Sequence, residues 1–204
     1  MESSPCIPGF TLIKQKVREK THKGPKISGG LALFAKNEYA HLIKPVQNEN
    51  EDSIRIKIKQ EAIGEHVDIF IGTIYLSPAR TDAEKSKAKT SLESFFQEAR
   101  NFKDVGGVKL QGDFNAYTSN LPDFIEGDKT DRDMGIEIVS TPIPRNSEDS
   151  KCTNERGKDL LDLCKASDML IVNSRKSGDI FGKYTSFQWN GSRVVDYVIS
   201  ERES

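Results

Sequence analysis

The chain has 204 residues, 35% of them hydrophobic and 30% charged, the make-up of an ordinary globular chain with enough apolar residues for one domain and its core. No apolar run approaches the ~18 residues of a membrane-spanning helix, and the amino terminus lacks the basic and apolar blocks of a secretory signal. A membrane partner and export are therefore not expected, and the expected location is intracellular, nuclear or cytoplasmic. A net charge of −1 argues against wholesale electrostatic capture of nucleic acid, so any DNA affinity has to come from local patches. Cys6, Cys152 and Cys164 are odd in number and lack metal-type spacing, which suits reduced thiols.

Phe10 to Val17, FTLIKQKV, is a predicted first strand. Lys14, Lys16, Arg18, Lys20, Lys23 and Lys26 follow against Glu19 alone, a pattern that fits phosphate contacts and a solvated loop equally. Ser28 to Ala35 is a predicted second strand, and Tyr39 to Val46 a third, ended by Pro45. Ile54, Ile56 and Ile58 alternate with Arg55, Lys57 and Lys59, the period of a strand with one wet face. A turn at Ile63 to Glu65 returns the chain antiparallel as Val67 to Leu76, apolar enough to be central. Tyr75 lies at its end. With Thr81 or Asp82 as cap, a helix is predicted to about Phe102, its apolar face made by Leu92, Phe95, Phe96, Ala99 and Phe102.

Val108 to Ala116, VKLQGDFNA, joins a short buried strand to an abrupt turn. Asp113 is expected just beyond the strand's carboxyl end, where sheets collect ligand-binding groups, with Asn115 beside it and Phe114 anchored in the core. Asp113 can move a proton or hold a metal, and Asn115 can donate to an oxyanion without carrying charge. The same residues can also serve only the backbone of their own turn. A polar passage from Tyr117 to Asn154 follows, with Asp123, Glu126, Asp128, Asp131, Asp133 and Glu137 as an acidic counterweight to the basic run. A second helix is predicted over Glu155 to Ala166, with Leu160, Leu161, Leu163 and Cys164 inward, and a strand over Met169 to Val172. Tyr184 to Trp189 and Arg193 to Ser200 read as a hairpin about Asn190-Gly191. Its second strand carries Asp196 inside an apolar run, where an ionised carboxylate needs a partner. Arg175, Lys176, Lys183 and Arg193 surround that motif. The element order implies an α/β sandwich, sheet on sheet with a helix outside each.

Three motifs, GTIYLSP at Gly72 to Pro78, GDFNA at Gly112 to Ala116 and SRVVDY at Ser192 to Tyr197, resemble in order and spacing those of the endonuclease/exonuclease/phosphatase superfamily. IPGF at Ile7 to Phe10, SGGLALF at Ser28 to Phe34, LPDFI at Leu121 to Ile125 and RGKDLLDLC at Arg156 to Cys164 resemble its branch in non-LTR retrotransposons, the apurinic/apyrimidinic-type endonuclease domains. The resemblance implies a four-layer αββα sandwich of two mixed, mostly antiparallel sheets flanked by helices. It also implies phosphodiester hydrolysis with Mg²⁺ or Mn²⁺, DNA as partner, and the remainder of a retrotransposon polyprotein, reverse transcriptase included, as neighbour. Asp113 would activate the attacking water and contribute to the metal site, Asn115 would hold the water or the developing charge, and Tyr75 would touch the phosphate. Asp196 would orient a histidine, with Thr185, Ser192 and Arg193 on the substrate.

In the family, a metal-binding glutamate precedes the segment like IPGF, and a Ser-Asp-His signature follows the DY strand. Neither is in this sequence, and His22, His41 and His66 do not match the histidine. The single domain is therefore expected to be incomplete at both termini, and the isolated chain to be inactive or only weakly active in nicking plasmid. The alternatives are a non-catalytic nucleic-acid-binding remnant, using Lys14 to Lys26 and Arg193, and a phosphoinositide or sugar-phosphate phosphatase.

Overall fold

A computed structural model describes residues 6–17, 30–125, 142–189 and 191–202. The four later cations of the basic run, His22, the acidic residues from Glu126 to Glu137, and Asn190 lie outside them. The chain divides into two compact units, Met1–Phe114 and Asn115–Ser204. Among the described residues no helix is long and apolar enough to cross a membrane.

In the first unit, strands β1 (Phe10–Val17) and β2 (Gly30–Lys36) form an antiparallel ribbon. A larger sheet runs β3 (Ile43–Val46), β4 (Ser53–Ile58), β5 (Ile69–Tyr75), β6 (Gly107–Asp113), antiparallel across the first three and parallel between β5 and β6. Parallel neighbours need a crossover, supplied here by helix α1 (Asp82–Arg100). The ribbon packs against β3, β4 and β5. Helix α1 begins where expected: Thr81 accepts from Glu84 N, and the Glu84 carboxylate returns to Thr81 N, a reciprocal capping box. Its Leu92, Phe95, Phe96 and Ala99 are fully buried, and Phe102 beyond its end stacks on Phe70 at 4.4 Å.

Two expectations for this unit need correction. The third strand starts at Ile43, because Ala40–Leu42 forms a 3-10 turn, and Pro45 lies inside it, tolerated because β3 is an edge. The face of β4 read as wet is covered at Arg55, which is 3% exposed. Its Nε donates to Glu98 at 2.6 Å and Nη2 to Phe95 O at 2.7 Å, with the guanidinium 4.9 Å from the Phe95 ring centroid. A charged side chain is thus buried beneath α1 because its charge is paired and its Nε and Nη2 are hydrogen-bonded.

The second unit holds helix α2 (Glu155–Ser167), β7 (Met169–Ile171), the short hairpin β8 (Ser186–Gln188) and β9 (Gly191–Arg193), and β10 (Asp196–Glu201). β10 pairs antiparallel with β7. Leu160, Leu161 and Cys164 face inward from α2, while Leu163 is half-buried. The strand expected over Arg193 to Ser200 is two strands. β9 ends at Arg193, Val194 and Val195 connect, and Asp196 opens β10 instead of lying inside a buried run.

Candidate active site

Tyr75 and Asp113 are Cα partners at the carboxyl ends of the parallel strands β5 and β6. Side chains alternate along a strand, so both share the face of Thr73 and Gln111, whose side chains are 3.3 Å apart. Phe70, Gly72 and Ile74 lie on the other face, and all three are buried. Asp113 is the last residue of β6, not the first beyond it, and its carbonyl accepts from Leu76 N at 2.9 Å. Gly112 has φ +138°, and a Cβ there would stand 1.9 Å from Ile74 O. No other residue fits so close to a neighbouring carbonyl. Phe114, fully buried, meets Phe95 edge-on at 6.3 Å between centroids. Tyr75 and Asp113 are both half-buried.

Asn115 opens the second unit at φ +47°, a left-handed conformation that is uncommon outside glycine and for which Asn is among the tolerated residues. Two side chains that the sequence reading missed fix the backbone after it. Asn154 caps α2, its Oδ1 accepting from Gly157 N at 2.7 Å and from Tyr117 N at 2.9 Å, while its Nδ2 donates to Asn115 O at 3.2 Å. The Tyr197 hydroxyl accepts from Thr118 Oγ1 at 3.1 Å and lies 3.0 Å from Ala116 O and 2.9 Å from Val194 O. Burial pushes this phenol up, so it stays protonated and keeps its donor.

Asp196 is half-buried, and its backbone is held from both sides. Thr185 Oγ1 accepts from Val195 N and Asp196 N, each at 3.1 Å, and Asn173 Nδ2 donates to Asp196 O at 3.2 Å. Asn173 Oδ1 also accepts from Val198 N at 2.8 Å. The Thr185 hydroxyl therefore works on the protein's own backbone. Ser192 and Arg193 lie in β9, and the Arg193 guanidinium sits 5.6 Å from the Tyr117 ring centroid. The first unit thus joins Tyr75 to Asp113, and the second joins Thr185 to Asp196.

Two cations assigned to surface patches, Lys16 and Arg175, are committed internally. Lys16 donates to Asn50 O at 2.8 Å and Asn48 O at 3.3 Å, and burial together with nearby Lys14 lowers its pKa. Arg175 does not belong to an open patch. It grips Asp123 with two bonds of 2.7 Å, the two side chains being 7% and 0% exposed. Asp123 is accordingly core rather than part of an acidic surface. Burial drives its carboxyl up, but the Arg175 hydrogen bonds and charge, the Ile171 N–H at 2.7 Å and nearby Arg145 outweigh that and hold it below the usual range. Arg145, itself buried, donates to Thr118 Oγ1 and Leu121 O. His41 and His66 are exposed.

Magnesium and manganese favour several hard oxygen ligands. Asp113 is one such donor, but among the described residues no three His, Cys, Asp or Glu side chains converge. The described donors do not amount to a metal site by themselves.

The chain adopts the endonuclease/exonuclease/phosphatase fold, the α/β class expected from its motifs. It is similar to an AP endonuclease from Leishmania major, with a TM-score of 0.63 at 8% identity over 96% of this chain and 63% of that one. It is also similar to the human Nocturnin catalytic domain with bound sulfate, at TM-score 0.51 and 13% identity over 95% of this chain and 61% of that one. The chain therefore spans about three-fifths of the length of either structure. No family model matches the sequence, nor does any curated protein.

Proposed function

We propose that this chain is the core of a metal-dependent phosphodiesterase-type domain, a DNA endonuclease of the retrotransposon apurinic/apyrimidinic type. The observation that carries the proposal is the pairing of Tyr75 and Asp113 on one face at the carboxyl ends of two parallel strands. An acid and a phenol so placed suit attack of water on a phosphodiester. Asp113 takes the proton of the attacking water, the P–O bond to the leaving oxygen breaks as the new one forms, and that oxygen takes its proton from solvent. Tyr75 donates its hydroxyl to a non-bridging phosphate oxygen, and Asn115 offers a neutral N–H donor to the developing charge. In this proposal Asp196 takes the position that orients a histidine, although no histidine of this sequence matches that role, and Thr185, Ser192 and Arg193 meet the DNA. The proposed covalent neighbour is the rest of a retrotransposon polyprotein.

Turnover by this chain alone is expected to be slow, because one carboxylate holds Mg²⁺ weakly. The test is supercoiled plasmid, inositol phosphates and sugar phosphates offered in parallel with Mg²⁺ or Mn²⁺ added. Slow nicking that falls by a factor of at least about 100 in Asp113→Asn, with no phosphate release, supports the proposal. Nicking that survives the substitution, or faster release from the monoesters, overturns it. Plasmid retention without nicking would favour a non-catalytic nucleic-acid-binding domain. The internal commitment of Lys16 weighs against that alternative.

A further inference from the structure

We infer that Asn154 is a positioning residue for Asn115, coupling the start of helix α2 to the turn that carries the proposed transition-state donor. This rests on the proposed phosphodiesterase chemistry for its meaning, though not for its geometry. A helix cap needs one acceptor, and Asp, Ser or Thr supplies it as well as Asn does. Asn154 does more. Its Oδ1 takes two N–H donors, Gly157 within α2 and Tyr117 outside it, which also settles which end of the amide is oxygen. The remaining arm, Nδ2, donates to Asn115 O, and the Asn154 backbone N–H donates to Tyr117 O at 3.2 Å.

The close approach is built into the sequence at a second point. A Cβ at Gly157 would stand 1.9 Å from Tyr117 O, so the first turn of α2 lies directly against the peptide after Asn115 and Ala116. Asn115 itself holds φ +47°, which persists in a non-glycine residue only when its surroundings over-determine it. The Asn154 amide bonds the chain on either side of Ala116, at Asn115 O and Tyr117 N. Rotation of the Asn115 peptide would break the first of these bonds and displace the carboxamide proposed to meet the phosphate.

Asn154→Asp separates the two roles. It keeps the acceptor and places negative charge at a helix start, where it is favourable, but replaces the donor arm with an oxygen facing Asn115 O. Asn154→Ser tests the same point without added charge. The full chain is labelled with ¹⁵N and ¹³C, and the Cα, Cβ and amide shifts of Asn115 are followed beside the melting temperature and the kinetics of plasmid nicking. The expected result for Asn154→Asp is a melting temperature within a few degrees of the parent, Asn115 shifts moved away from left-handed values, and kcat lowered about tenfold at unchanged KM. Unchanged Asn115 shifts in both variants would overturn the inference, as would a loss of stability alone. If the parent shows no nicking that depends on Asp113, the proposed function fails while the Asn115 shifts still decide the role of Asn154.

Discussion

Replacing Arg175 with Met tests how the second unit is held together. The substitution removes both 2.7 Å bonds to Asp123, along with donors to Ile171 O and Ile143 O, and leaves a fully buried carboxylate with the Ile171 N–H. Breaking one side of such a pair costs about 3–5 kcal/mol, because the stranded charge has lost its water and its partner. With a urea dependence of about 2 kcal/mol/M, the midpoint should fall by roughly 2 M. The pH dependence distinguishes a stranded charge from lost packing. In the parent, the Asp123 carboxyl lies below the ordinary carboxylate value, so its stabilisation is complete above about pH 4 and is lost as pH falls through the folded pKa. In Arg175→Met, burial is no longer outweighed, the carboxyl moves up, and protonation relieves the folded state as pH falls from 7 towards 4. The gap between variant and parent should therefore narrow with acid. Adding Asp123→Leu should recover most of the loss at neutral pH. A deficit under about 1 kcal/mol that does not change with pH would refute the argument, since that is how an exposed pair behaves.

Gly112→Ala should destabilise by at least about 2 kcal/mol in urea unfolding, because a Cβ 1.9 Å from Ile74 O forces the β5-β6 pair to shift. Thr81→Ala should cost about 1 kcal/mol by the same measurement, through loss of the capping box on α1. Thiol labelling should find exposed Cys6 reactive in the native state and Cys164 silent until the chain unfolds, as full burial pushes its thiol far above the range where a thiolate forms.

The parts of the fold that were legible in the sequence are those specified locally. Helix α1 was marked by its cap and its apolar period, and the β4-β5 hairpin by alternation and a turn. Tyr75 and Asp113 were legible as well, because the ends of two apolar strands place them on a common edge. What escaped notice depends on distant partners. Alternation made Arg55 look solvated, and nothing near it in sequence announces Glu98 on α1. Asp123 sits among acids and was read with them, although its partner Arg175 lies 52 residues further on. The break before Asp196 was hidden for a related reason. Two valines read as continuous strand, yet Val195 N and Asp196 N bond to the Thr185 hydroxyl instead of a neighbouring strand. Asn154 is legible only as a cap ahead of the helix predicted from Glu155, and its bonds to Asn115 and Tyr117, like those of Asn173, carry no signal, since an asparagine that replaces a backbone partner looks like any polar loop residue.

The edge-on contact of Phe114 with Phe95 means that a hydrocarbon ring on a helix helps to place the neighbouring carboxylate of Asp113. A large-to-small change at Phe95 would remove no polar group, yet it would free the peptide that follows Asp113. On the proposed chemistry, such a change is a route to a heat-sensitive variant, one that loses activity at a lower temperature than the parent. A screen for loss of function would then return positions on α1 that have no contact with substrate. Only their temperature profile would separate them from true losses of chemistry.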